Sequence, residues 1–91
     1  MRTESVEIYS DETNRAVLRH PGRKFPGVLI QGDTLYTLCV MADEAYAESG
    51  SNEELNRLRD ALRSFLIHYK VVLGEHEMRL PFDEKPPFLG R

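Results

Sequence analysis

The chain has no tryptophan and a single cysteine, Cys39, among its 91 residues. One thiol cannot close an internal disulfide, so the core must hold without a covalent staple. That usage suits a reducing compartment. Long apolar runs are also missing: the uncharged stretch Thr34 to Ala42 falls well short of the roughly 20 residues that cross a bilayer. No export leader is expected, because Glu4 and Glu7 stand where a secretory signal carries an apolar stretch of about 7–15 residues. A basic surplus is absent as well. Twelve Lys/Arg against fifteen Asp/Glu leave a net charge of -3, which speaks against a dedicated nucleic-acid binder. These absences lead us to expect a cytoplasmic protein with neither a nucleic-acid nor a membrane partner.

What is present is ordinary globular composition, 41% hydrophobic and 30% charged, which argues against disorder and low-complexity repeats. The length fits one domain, since two would each lack residues for a core. Residues 1–32 read as strands. Val6, Ile8 and Ser10 alternate with Glu7 and Tyr9, the period of a half-buried strand. Asp11 to Asn14 form a polar turn, Ala16-Val17-Leu18 open a second run, and Val28-Leu29-Ile30 a third. Between the last two, Pro21-Gly22 and Pro26-Gly27 each match the centre of a type II turn.

Residues 33–74 read as a helical hairpin. Asp33 is the expected N-cap of the first helix and Gly50 its stop. Its apolar stripe is Leu35, Leu38, Ala42 and Ala45, widened by Tyr36, Cys39 and Tyr46. Ser51 to Glu54 match a capping box with Ser51 as N-cap. The second helix carries Leu55, Leu58, Leu62, Phe65, Tyr69 and Val72 at steps of three and four, and Gly74 is its expected stop. Leu66, Ile67 and Leu73 exceed that stripe. A connection this short implies antiparallel helices. The expected fold is a two-layer α+β domain, ordered ββ(β)αα, its short antiparallel sheet packed on the hairpin and residues 75–91 forming an extended tail. Phe82, Phe88 and Leu89 suggest that part of this tail packs down or meets a partner.

Chemistry-bearing motifs are few. Arg15, Arg19, His20, Arg23 and Lys24 fall within ten residues, and the two Pro-Gly pairs bracket Arg23, Lys24 and Phe25. Arginine forks recognise carboxylate or phosphate at two points, although a solvated hairpin connection has the same composition. Gln31-Gly32-Asp33 opens a helix, a frequent anion-binding position, but the Asp33 carboxylate sits where the anion would and no P-loop lysine follows. Asp43, Glu44, Glu48, Glu53 and Glu54 are expected around the interhelical turn as a solvated acidic end or a docking patch for a basic partner. They lack the loop spacing that calcium requires. Cys39 falls on an apolar helix side, and His20, His68 and His76 are scattered without metal-ligand spacing. No nucleophile–base pairing emerges, so neither catalysis, a metal nor a cofactor is expected.

The stretches Pro21-Gly22-Arg23, Phe25-Pro26-Gly27 and Gln31-Gly32-Asp33, with Ile8-Tyr9-Ser10-Asp11 and Asn14, resemble a family of small bacterial proteins of unknown function. Members share such PGR, FPG and QGD motifs in their first half. The resemblance covers about residues 6 to 40, implies a stand-alone bacterial protein and hands over no activity. Small acidic α+β domains of this kind also look like immunity proteins, an analogy at the level of fold. Two functions follow as expectations. One is a non-catalytic protein-interaction module, immunity-like or self-associating as a homodimer. The alternative is a sensor binding a small anionic ligand. For either, Arg19, Arg23, Lys24, Phe25, Gln31 and Asp33 are the candidate binding residues.

Overall fold

The computed structural model describes residues 1–84. Phe88 and Leu89, expected to pack or to meet a partner, lie outside the described residues. Three antiparallel strands in the order β1-β2-β3 precede two helices, an α+β arrangement: β1 (Glu7–Ser10), β2 (Ala16–Arg19), β3 (Gly27–Leu29), α1 (Gly32–Ser49) and α2 (Glu53–Glu75). The chain divides into two compact units, Met1–Gln31 and a second beginning at Gly32.

In the first unit, turn chemistry sets the strand limits. Arg15 N–H donates to the Glu12 carbonyl at 3.1 Å, with Asn14 left-handed at φ 65°, a conformation asparagine tolerates better than most residues. Arg23 N–H donates to the His20 carbonyl at 3.0 Å across Pro21-Gly22, and Gly22 takes φ 82°, as a type II turn requires. The second Pro-Gly pair is no such turn. Gly27 is the first residue of β3 and pairs with Leu18, and proline suits the position just before an edge strand. The register opposes Glu7 to Arg19 and Ile8 to Leu18, then slips so that Ser10 faces Val17. Tyr9 is therefore the extra residue of a bulge, and the alternation expected for β1 breaks there.

In the second unit, α1 and α2 pack along Leu35, Cys39 and Leu66, with Tyr36, Val40, Leu62, Tyr69 and Phe82 around them. The buried stripe differs from the expected one. Leu66 is completely buried, whereas Leu58 and Phe65 are 52% and 62% exposed, and Ala45 is exposed while Ala42 is buried. The burial centre of α2 lies one position further along, because Leu55, Leu62, Leu66 and Leu73 share a face as regularly as the other set does. Helix ends shift too. Asn52, not Ser51, caps α2, its side chain accepting from Leu55 N–H at 3.0 Å. Gly74 remains inside α2. The left-handed residue that ends it is Glu77 at φ 56°, with Met78 N–H bonding to the Leu73 carbonyl at 2.9 Å and Glu77 N–H to that of Gly74 at 3.2 Å, the Schellman pattern. The run Glu75-His76-Glu77, which alternates like a strand, is thus a helix end. Beyond it the chain folds back on α1. Phe82 stacks on Tyr36 with ring centroids 4.5 Å apart, and Lys70 Nζ holds both Glu84 carboxylate oxygens at 2.7 and 2.6 Å.

Gly32 opens α1 and is buried, and a Cβ placed there would stand 2.3 Å from the Tyr69 ring. Its glycine is thus a packing requirement between the two helices. Gly32→Ala should destabilise the protein by about 1–3 kcal/mol, the usual cost of overpacking. Gly32→Ala/Tyr69→Leu should recover part of that loss in urea melts followed by circular dichroism. A single Gly32→Ala variant as stable as wild type would show that the ring moves aside without cost.

Candidate functional site

Arg19, Arg23 and Lys24 come together at one end of the β2–β3 hairpin, whereas Arg15, foreseen with them, lies at the other end beside Glu12. Arg19, the last residue of β2, stands opposite Glu7 across the strand pair. Its Nε donates to Glu7 Oε1 at 2.6 Å and its Nη1 to the Arg23 carbonyl at 2.8 Å. Tyr9 adds a third contact, its hydroxyl donating to the same Glu7 oxygen at 2.8 Å. Arg19 thus commits two of its donors to holding the loop's shape. The side chains of Arg23 and Lys24 are exposed and pair with no carboxylate among the described residues. Lys24 lies 5.5 Å over the ring of Phe25, which is itself 72% exposed.

The Arg19 guanidinium and the Tyr9 hydroxyl pull the Glu7 carboxyl down from 4.5 to about 2. Such a group stabilises the folded form above its unfolded value, and that contribution fades as pH falls from about 4.5 towards 2. A carbon-detected NMR titration of Glu7 should therefore find a midpoint near 2 at low salt, rising towards the ordinary value at high salt because the pair is exposed. A midpoint near 4.5 at low salt would mean that the carboxylate is not held by Arg19.

The other sequence-predicted residues lie elsewhere. Gln31 follows β3 at the end of the sheet opposite the Arg23 loop. It lines an open hollow of about 230 Å³ with Asp11, Glu12, Thr13, Asn14, Ala16 and Leu29. Asp33 occupies the first turn of α1, one residue inside the helix rather than at its cap, and Oδ1 accepts from Thr34 N–H at 2.8 Å. The local helix N-terminus thus already has its own anion.

The acidic end of the hairpin is smaller than expected. Asp43 turns inward, its side chain 10% exposed, with Oδ1 3.3 Å from Arg63 Nη2 and 3.5 Å from Arg59 Nε. Arg59 also lies 4.3 Å over the Tyr46 ring. Only Glu44, Glu48, Glu53 and Glu54 stay exposed, and Arg57 pairs with Glu54 at 3.4 Å rather than with Glu53. A signal for the Asp43 cluster was present: two arginines four residues apart on one helix can share one carboxylate on its neighbour. Burial pushes the Cys39 thiol above its ordinary range, with the Asp43 charge adding to the effect. Among the described residues no group of three or more His, Cys, Asp or Glu is placed to hold a metal ion, and no helix is long and apolar enough to cross a membrane.

A profile of a family of unknown function, DUF6959, matches residues 1–82. The chain belongs to this family. No curated protein and no solved structure matches it. The DUF6959 match runs through both helices to Phe82, the residue that stacks on Tyr36.

Proposed function

We propose that this DUF6959 protein is a non-catalytic interaction module that binds an acidic protein surface through Arg23, Lys24 and Phe25. The observation that carries this reading is the division of labour in the loop. Arg19 and a type II turn fix the backbone, while two cations and one aromatic ring stand in solvent. Binding by a preformed loop loses little entropy, and arginine and aromatic residues are the side chains enriched at contact centres. Exposed side chains on a fixed loop suit a protein surface better than a small anion, which needs a concave site. The hollow described in this unit carries Asp11 and Glu12 and opposes an anion. A non-enzymatic role fits a buried thiol with a raised pKa and three exposed, separated histidines. A bacterial, cytoplasmic setting and an immunity-like role belong to the same proposal.

The test uses wild type and Arg23→Ala/Lys24→Ala as baits in a lysate of the host cell. The double variant should melt within about 1 °C of wild type, as exposed substitutions do. It should lose a protein that wild type enriches. Equal recovery on both baits would overturn the loop's role. An Arg23-dependent thermal shift with phosphate, nucleotides or small carboxylates, without any protein partner, would favour the anion-sensor alternative instead.

A further inference from the structure

Resting on that reading, we infer that the partner this surface fits is a second copy of the chain, joined through β3. In the order β1-β2-β3 the two outer strands each keep one edge unpaired within the sheet. They are not equivalent. β1 carries Glu7 and the bulge at Tyr9, both of which discourage further pairing. β3 carries neither: Phe25 to Gln31 hold no charge, and Val28, Leu29 and Ile30 are 60%, 54% and 42% exposed. None of residues 1–31 is buried.

Charge selects the occupant and its direction. Arg23 and Lys24 lie at one end of the hairpin. The Asp11-Glu12 turn lies at the other, sharing its hollow with Leu29 and Gln31. Arg15 offsets Glu12 at 3.3 Å, which leaves Asp11 as the surplus charge. Two β3 strands paired antiparallel about a two-fold axis at Val28 set the basic end of each sheet beside the acidic end of the other. A parallel pairing would set like beside like. The same two-fold places Gly27 opposite the partner's Leu29, a small residue against a large one, and Val28 opposite the partner's Val28. Strand addition of this kind draws its affinity from main-chain hydrogen bonds.

Sedimentation velocity from micromolar to near-millimolar protein tests the inference. Wild type should pass from one chain to two, and added salt should weaken the dimer. Val28→Lys, which puts two ammonium groups face to face, should raise the dissociation constant at least about tenfold with an unchanged circular dichroism spectrum. Should that variant misfold, Val28→Cys provides the second measurement. It should form a disulfide-linked dimer under mild oxidation much faster than Ser51→Cys in the interhelical turn, the native Cys39 being buried. A wild-type chain that stays monomeric at the highest concentration, with no preferential cross-link in the Val28→Cys variant, overturns self-pairing. In that case a lower melting temperature of monomeric Val28→Lys would show that another part of the same chain covers the strand. The interaction reading would then stand or fall separately, on a lysate partner lost with Arg23 and Lys24.

Discussion

Leu66→Ala should lower the stability of the protein by about 3–4 kcal/mol, the range for a leucine truncated at a site with little room to collapse. Leu66 is the one large side chain that is fully buried among the described residues, and it meets Leu35 and Cys39 of α1 at the centre of the hairpin. With a urea m-value of about 1 kcal/mol/M for a chain of this size, the midpoint should fall by roughly 3 M. That is much of the total stability such a domain has to lose. The informative control is the adjacent Phe65→Ala. Phenylalanine is the larger residue and loses more carbon, yet Phe65 is 62% exposed, so its truncation should cost about 0.5 kcal/mol or less. Equal losses at the two positions would mean that α2 is rotated by one residue from the packing described above.

Asp43→Ala should cost about 2–4 kcal/mol, although one exposed acid fewer is normally inconsequential. The Asp43, Arg59 and Arg63 side chains are only 10%, 20% and 16% exposed. Removing the carboxylate leaves two guanidinium groups facing each other in a poorly solvated interface. Asp43→Asn keeps the shape and should lose nearly as much, which separates charge from packing. The cluster holds a tension of its own, since Asp43 Oδ2 and Arg59 Nε are buried without hydrogen-bond partners. Replacing the acid and one base together should therefore cost less than the acid alone. Asp43→Ala/Arg63→Met is expected to be more stable than Asp43→Ala, a non-additivity that equilibrium unfolding of the four proteins in the cycle would read directly. Strict additivity would show that the two residues do not interact.

How far the candidate loop was legible follows from what each residue does. Pro21-Gly22 predicts its turn because a ring-locked φ followed by a residue free to take positive φ permits few alternatives. Pro26-Gly27 obeys the same local rule and fails, because pairing of Gly27 with Leu18 is a long-range contact that no dipeptide encodes. Arg19 reads as a ligand residue on composition. Its pairing with Glu7, twelve positions earlier in the chain, is set only by the strand register. Gln31 and Arg23 are eight residues apart in sequence, yet β3 between them carries them to opposite ends of the sheet. A strand advances roughly 3.3 Å per residue, so a short sequence separation here is a long physical one.

Local chemistry therefore settles a good deal in advance. The absence of a second cysteine, the helix stop at Gly50, the turns at Asn14 and Gly22 and the existence of at least two strands and two helices all follow from the sequence by itself. Each depends on φ/ψ preferences and hydrogen bonds within a few residues. The burial of Leu66 over Phe65, the inward turn of Asp43 and the glycine beneath Tyr69 were decided only in the tertiary structure. Neighbouring residues on a helix stand about 100° apart, and two overlapping apolar stripes describe α2 almost equally well. The choice between them belongs to whatever packs opposite, and here that is the Gly32, Leu35, Cys39 and Ala42 face of α1.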